Sequence, residues 1–221
     1  MPYKQTRKYE PENTFNINAW EPRTGIGKRV KAKEITSIEQ IFHEGKHIEE
    51  TEIVDALIPD LKNEVIEIAS VQRMTKNNRK AKYRVTAIVG DGRGHVGVGS
   101  GKEAEVKAAI DRAVKNAKSN IIPVIFGCGS WQCACGTPHS LPIIVRGKCG
   151  SVEVILKPAP RGLGVVASEP VRKMLELAGV RDLWSFSRGR TRAKYNTLMA
   201  VYRALKNEAG MKNTSLMEIK Q

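Results

Sequence analysis

The sequence is poor in aromatic residues, poor in acidic residues relative to basic ones, and without any long apolar run. Aromatic side chains make up only 5% of the 221 residues, which argues against a widespread aromatic platform for stacking bases. The N-terminal "MPYKQTRKYEPENTF" contains no apolar signal region, and no stretch approaches the roughly 20 apolar residues of a membrane-spanning helix. We therefore expect a cytoplasmic protein that does not associate with a membrane.

The shortage of acidic residues is uneven along the chain. Lys and Arg number 37 against 23 Asp and Glu, which gives a net charge of +14. Between Glu34 and Glu67, however, ten acids face only two bases, so this segment carries −8 and the rest of the chain +22. A charge that served solubility alone would not segregate in this way. Because no basic amphipathic helix with a bulky apolar face is evident, the pattern favours a nucleic-acid partner over an anionic membrane.

Composition and periodicity divide the chain into five segments. Two short helices, "SIEQIF" and "TEIVDALI", are predicted in the acidic part of the first segment, which we expect to pack beside the basic module that follows. The segments are a basic N-terminal arm with an acidic helical extension (1–63), a first folded domain (64–127), a Cys/His-rich linker insertion (128–140), a second domain (141–208) and a mobile tail (209–221).

The two domains have different element patterns, and both mix strands with helices. Residues 64–120 predict three strands, "EVIEIASVQRMT", "KYRVTAIVGD" and "GHVGVGSG", followed by the helix "KEAEVKAAIDRAVKNAKSN", whereas residues 121–140 read as irregular. The second domain predicts strands at "PIIVRGKC", "SVEVILKPA", "VVAS" and "VRDLWSF", with helices at "EPVRKMLELAG" and "YNTLMAVYRALKNE". The fold class is therefore α+β.

A glycine-rich stretch, "VGDGRGHVGVGSGK", contains a literal G-x-G-x-x-G at Gly92, Gly94 and Gly97. A dinucleotide fingerprint needs its third glycine at the start of a helix, but Gly97 is followed by more extended chain. A phosphate-binding P-loop also fails, because Glu103 replaces the Ser or Thr that follows the lysine. We expect no nucleotide or organic cofactor here. The glycines instead serve a hairpin turn and close packing.

Two exposed features of this stretch nevertheless suit phosphate. We expect Arg93 and His95 to point outward at the hairpin tip, and a helix N-terminus at Gly101-Lys102 to attract phosphate through its free amides.

The neighbouring hairpin "SVQRMTKNNRKAKYR" carries Arg73, Lys76, Arg79, Lys80, Lys82 and Arg84 with no acid, around a turn marked by Asn77 and Asn78. Such a concentration of positive charge is unfavourable unless an anion neutralises it. The hairpin therefore predicts a nucleic-acid contact, with an ordinary solvated turn as the alternative.

The four cysteines are unevenly placed. Cys128, Cys133 and Cys135, together with His139, form a C-x4-C-x-C-x3-H pattern that suits one tetrahedral structural zinc ion. The spacing departs from the usual C-x2-C pairs, so three reduced thiols in a tight loop are an equal alternative, and Cys149 is a distant alternative ligand. A catalytic Cys with His139 as base would need an orienting carboxylate, and the sequence offers no acid nearby.

Two long segments carry a family resemblance. "RVTAIVGDGRGHVGVGSGKEAEVKAAIDRAVKNAKSNIIPV" and "GSVEVILKPAPRGLGVVASEPVRKMLELAGVRDLWS" closely resemble the family of the fifth small-subunit ribosomal protein, S-five, and the match covers about residues 64–208. Residues 1–60 and the insertion "GCGSWQCACGTPHS" are similar to the archaeal and eukaryotic branch, and we assign the archaeal type. The resemblance implies a double-stranded-RNA-binding-like βββα module followed by an S-five second-domain-like α/β module.

The resemblance also implies a function and site residues. A member of this family is a non-enzymatic constituent of the small ribosomal subunit that binds its rRNA, lies near the mRNA entry channel with proteins three and four, and contributes to translational accuracy. The resemblance implies eleven RNA-binding residues: Arg73, Lys76, Asn77, Asn78, Arg79, Lys80, Lys82, Arg93, His95, Lys157 and Arg161. We add Lys102 and the three arginines of "SRGRTR", Arg188, Arg190 and Arg192, because they are basic on their own account. The alternatives are a free-standing double-stranded-RNA-binding protein and a zinc-dependent RNA-modifying enzyme.

Overall fold

The computed structural model describes residues 20–133 and 135–211. The predictions for most of the basic arm (residues 1–19) and for the tail beyond residue 211 lie outside this range. Within these ranges, contacts between residues separate two compact units: the residues up to 123 together with 172–179, and residues 124–171 together with those from 180 onward. The domain boundaries given above stay predictions. None of the helices in the described ranges has the length and apolar character needed to cross a bilayer.

The first segment contributes three short helices to the first unit, one from the end of its basic arm and two from its acidic extension. They are α1 (Gly25–Lys31), α2 (Ile38–His43) and α3 (Thr51–Leu57). The sequence predicted the second and third, but α1 was missed because its apolar residues are few. Buried residues of this layer share one core with Val89, Ala117 and Ile121 of the basic module. Lys118 Nζ also lies 2.6 Å from Asp55 Oδ1. The expectation that the acidic layer packs beside the basic module is therefore confirmed.

The first unit is built on a four-stranded antiparallel sheet. Its strands, β1 (Lys62–Met74), β2 (Arg79–Gly90), β3 (His95–Glu103) and β4 (Ile121–Pro123), lie in chain order. Helix α4 (Val106–Ser119) covers one face of this sheet, where Ala109 and Ala113 pack with Val85 and Ala87. The sequence predicted three strands and the helix. It missed β4, which pairs only three residues and follows directly after α4.

The glycines of β3 let α4 approach the sheet closely. A Cβ atom on Gly97, Gly99 or Gly101 would overlap backbone atoms of α4. Gly92 and Gly94 adopt φ values of 70° and 120° in the β2–β3 turn, as expected. The prediction of a helix N-terminus at Gly101-Lys102 is wrong, because both residues pair with β2 as part of β3 and α4 begins only at Val106.

The second unit has its own four-stranded sheet. Strands β5 (Val145–Cys149), β6 (Val152–Pro158), β7 (Val165–Val166) and β8 (Leu183–Arg188) lie in the order β5-β6-β8-β7. Neighbouring strands are antiparallel except β7 and β8, which are parallel and separated along the chain by α5 (Glu169–Ala178). Helix α6 (Lys194–Ala209) packs on one face, where Gly147 lies directly against its backbone. Two sheets with helices packed on them confirm the α+β class.

Candidate nucleic-acid interface and metal centre

Five cations share the face of the first sheet that lies opposite α4. They are Arg73, Lys80, Lys82, Arg84 and Lys102, and we call them the basic stripe. In the register of the sheet, Arg73 lies opposite Lys80, and Arg84 lies opposite Lys102. Side chains alternate between the faces of a strand, and Val85 and Gly101 face α4, so their neighbours point the other way. Lys102 therefore joins the stripe through strand pairing and not through a helix N-terminus.

The electrostatics of the basic stripe are unfavourable in the isolated chain. Like charges directly opposite one another on neighbouring strands destabilise a sheet. Within the described part of the chain, no ion pair involves a stripe residue. Arg84, which the resemblance did not carry over, belongs to the set because it pairs with Lys102. An anion on this face would relieve the repulsion.

The tip of the β1–β2 hairpin is held by its own side chains. The hydroxyl of Thr75 lies 2.5 Å from the carbonyl oxygen of Asn78, and Asn78 Oδ1 accepts the amide of Arg79 at 2.7 Å. Asn78 thus uses its side-chain oxygen to fasten the turn, whereas Lys76 and Asn77 are exposed. Arg79 is exposed on the face opposite the stripe. The hairpin end presents cations on both faces and at the turn.

The β2–β3 turn only half matches its prediction. Arg93 is exposed, and its guanidinium contacts Asp60 Oδ2 at 3.2 Å. His95 does not point outward: its side chain is 14% exposed, lies 2.6 Å from Asp91 Oδ2 and stacks on Phe42. Burial opposes ionisation of Asp91, but hydrogen bonds from His95 and Arg93 outweigh it and lower the pKa of this carboxyl group. The outward orientation predicted for His95 is therefore wrong.

The second sheet also has a basic face, opposite α6, which we call the open sheet face. Lys157 and Arg188, both expected from the sequence, share it with Arg146 and Lys148, which the sequence reasoning missed. Lys157 Nζ lies 4.8 Å from the centre of the Phe186 ring, a cation–π contact on the same face. The alternation in "VRGKC" was the signal that could have identified Arg146 and Lys148.

Three further predicted cations lie on exposed loops of the second unit. Arg161 is in the loop 159–164 between β6 and β7, and Arg190 and Arg192 lie between β8 and α6. Asp182 Oδ1 holds the first loop by accepting the amides of Gly162 at 3.0 Å and Gly164 at 2.8 Å. Arg161 is therefore carried by a backbone that internal hydrogen bonds constrain.

The Cys/His cluster converges as its spacing predicted. One ligand atom from each of Cys128, Cys133, Cys135 and His139 lies within 4.8 Å of all the others. The Cys128 and Cys135 sulfurs are 3.5 Å apart, and Cys133 Sγ lies 3.7 Å from His139 Nε2. Ligands of a tetrahedral zinc ion at 2.3 Å lie about 3.8 Å apart, so these residues fit the metal. Cys149, at the end of β5, is not a member of this group.

Hydrogen bonds within the cluster shift the pKa values of two of its thiols in opposite directions. Local burial and hydrogen bonds with Cys135 and Cys133 raise the pKa of Cys128 to about 11. Hydrogen bonds from Thr137 and Cys133 lower the pKa of Cys135 to about 6. Because a metal ion binds the thiolate form, the lowered pKa of Cys135 favours metal binding at this thiol.

A carboxylate lies beside His139 even though the local sequence offers none. His139 Nδ1 lies 2.8 Å from Asp182 Oδ2, and both residues are buried. The order Cys133, His139, Asp182 resembles a nucleophile, base and orienting acid. Three thiols around one imidazole instead match a metal centre, in which a carboxylate commonly orients the ligating histidine. The expectation that no acid lies near the cluster is therefore wrong. The fold brings Asp182 to His139 although the two residues are 43 positions apart along the chain.

Comparisons with known proteins agree with this geometry. The family model "Ribosomal protein S5, N-terminal domain" matches residues 61–125, and "Ribosomal protein S5, C-terminal domain" matches residues 147–217. Small ribosomal subunit protein uS5 of Aeropyrum pernix is 51% identical over 192 residues, covering 87% of this chain and 88% of the relative. The uS5 proteins of Methanocaldococcus jannaschii (50%; 87% and 89% covered) and Hyperthermus butylicus (52%; 85% and 88% covered) are equally similar.

Proposed function

Since the chain belongs to the ribosomal protein S5 family, archaeal type, we propose that it is a non-enzymatic, structural constituent of the small ribosomal subunit in the cytoplasm. Its partner is the small-subunit rRNA. Family membership supports the subunit assignment. The chain's own residues support the mode of RNA binding.

The observation that carries RNA binding is the pair of directly opposed cations in the basic stripe. Arg73 lies opposite Lys80, and Arg84 lies opposite Lys102, on neighbouring strands of the sheet. Among the described residues, no ion pair with an acid neutralises any of these four cations. Phosphates that bridge such pairs release condensed counterions, and this release gives RNA binding its salt dependence. The stripe would supply positioning contacts to the backbone, while Lys76 and Asn77 at the tip reach further.

A matched pair of variants tests this proposal. Arg73→Ala with Lys80→Ala removes two opposed stripe cations, and Lys107→Ala with Lys115→Ala removes two exposed cations of α4. We expect the stripe variant alone to weaken binding of a small-subunit rRNA transcript and to flatten the log–log salt slope by about 2 units. Circular dichroism should show both variants folded. Equal effects of both variants would contradict a role for this face.

We further propose a finer position for the protein in the subunit. The family resemblance supports a place near the mRNA entry channel, beside proteins three and four, with an indirect contact to mRNA and an influence on translational accuracy. The second unit offers surfaces for such neighbours, because its basic loops and its open sheet face are exposed. A test of this position needs assembled subunits.

We also propose that Cys128, Cys133, Cys135 and His139 bind one structural zinc ion. The ion would cross-link a loop that has little apolar core of its own. Protein isolated from intact subunits should contain about one zinc per chain by elemental analysis. Cys133→Ser should lose the metal, and Cys149→Ser, outside the group, should keep it. Metal-free wild-type protein would instead support three reduced thiols.

A further inference from the structure

A buried carboxylate joins the metal cluster to the loop that carries Arg161. Asp182 is 4% exposed and uses both of its oxygens. Oδ2 lies 2.8 Å from His139 Nδ1, whereas Oδ1 accepts the amides of Gly162 and Gly164 at 3.0 and 2.8 Å. One side chain therefore contacts a candidate metal ligand on one side and the loop 159–164 on the other.

Backbone contacts reinforce the same connection. The carbonyl oxygen of His139 accepts the amides of Arg181 and Asp182 at 3.1 and 3.2 Å. The next residue, Ser140, accepts the amide of Ala159 through its hydroxyl at 3.3 Å. At the far end of the loop, the carbonyl oxygen of Gly164 accepts the amide of Leu183 at 3.2 Å. Both ends of the loop are thus fixed to residues beside His139 or Asp182.

The orientation of the imidazole suits a metal ligand held by a second residue. Nε2 faces the thiol of Cys133 and Nδ1 faces Asp182. With Nε2 on the metal, Nδ1 would carry the proton and donate a hydrogen bond to the carboxylate, which would fix the orientation of the ring. A carboxylate accepts hydrogen bonds on both of its oxygens. Asp182 can therefore accept hydrogen bonds from the imidazole and from the two loop amides at the same time.

We propose that Asp182 is a positioning residue that couples metal binding at Cys128, Cys133, Cys135 and His139 to the conformation of the loop 159–164, and thereby to the presentation of Arg161 to RNA. This inference rests on the proposed metal site. Metal binding fixes His139, His139 fixes Asp182, and Asp182 holds the loop amides. Removing the metal releases the first of these contacts and loosens the rest.

Hydrogen exchange on the unaltered protein tests the coupling directly. Peptides that cover the loop are compared before and after removal of the metal with a chelator. We expect the amides of Gly162 and Gly164 to exchange about tenfold faster in the metal-free protein, as loss of a hydrogen bond to a charged group would give. The amide of Gly92, which donates to Leu177 in the first unit, serves as the control and should not change.

The variant Asp182→Asn separates the two sides of the carboxylate. An asparagine offers one accepting oxygen, so it can satisfy either His139 or the loop amides, but not both. We expect zinc affinity to fall by about 10- to 100-fold and the loop to exchange faster even when loaded with metal. Asp60→Asn, at an exposed site in the first unit, should change neither property.

RNA binding supplies a third readout with its own control. Arg161→Ala should weaken binding of the rRNA transcript in the metal-loaded protein and have a smaller effect after metal removal. Lys80→Ala, in the first unit, should cost the same in both states. A protein that binds no zinc would overturn the metal site and the coupling together. Zinc binding with unchanged loop exchange would overturn the coupling alone and leave the metal site standing.

Discussion

Glu208, near the end of α6, is a carboxyl group in an unfavourable environment. Its side chain is 0% exposed, and neither oxygen has a hydrogen-bond partner among the residues that the structure describes. Burial without a partner disfavours the charged form and raises the pKa of Glu208 to about 8 from its ordinary value of 4.5. At neutral pH the folded protein therefore holds a proton here that the unfolded chain releases.

This proton makes stability depend on pH. Between pH 4.5 and 8 the folded state binds more protons at Glu208 than the unfolded state, so stability falls as pH rises through this window. We expect the free energy of unfolding of the wild type, relative to Glu208→Gln, to fall from pH 5 to pH 7.5 by up to a few kcal/mol, at about 1.4 kcal/mol per pH unit. Denaturant titration of both proteins at each pH measures the difference. Glu176→Gln, at an exposed site, is the control, and its free energy of unfolding should depend on pH as that of the wild type does. The same pH dependence in Glu208→Gln and in the wild type would contradict the prediction.

Helices and strands show which local structure the sequence could predict. The long β1–β2 hairpin and α4 were predictable because alternation and an apolar helical stripe extend over many residues. Helix α1 was missed because "GIGKRVK" has two glycines and little periodicity. It forms because Thr24 Oγ1 accepts the amide of Gly27 at 3.2 Å and Val30 packs into the shared core. Tertiary contacts, which a local pattern does not contain, decide such short elements.

The start of α4 illustrates the same limit at an element boundary. The helical pattern of "KEAEV" extends to Lys102, yet pairing with β2 keeps Lys102 and Glu103 in β3. Sheet hydrogen bonds across 18 or more residues of sequence thus override a local helix preference. The error did not remove Lys102 from the RNA-binding prediction, because the strand register sets it opposite Arg84 on the basic stripe.

Candidate sites were predictable where their residues lie close together in the sequence. The four metal ligands fall within twelve residues and converge as their spacing indicated. Asp182 could not be assigned from the sequence, because the fold alone brings it to His139. Arg146 and Lys148 were within reach of the pattern but were not used. Their common face with Lys157 and Arg188 follows from strand pairing.

At the scale of the whole molecule, one chain carries basic surfaces on two separate units. The basic stripe belongs to the first unit, and the open sheet face with Arg161, Arg190 and Arg192 belongs to the second. A protein that holds two RNA elements influences the conformation of the subunit only if its contacts differ between the subunit's states. Accuracy should therefore respond to surface changes that leave RNA binding and assembly intact.

Arg181, an exposed cation of the second unit just before β8, is suited to this test. Two cations of α5 are less suited to it, because Lys173 contacts Glu64 at 2.7 Å and Arg172 also has a partner. We expect Arg181→Glu to alter misreading in an archaeal translation assay more than it alters total synthesis, because it would change the proposed contact with a neighbouring protein and not the catalytic steps. Lys206→Glu, an equal charge change on α6, should leave both unchanged. Equal losses of accuracy and synthesis, or wild-type misreading in fully assembled Arg181→Glu subunits, would rule out the proposed influence on decoding at this surface.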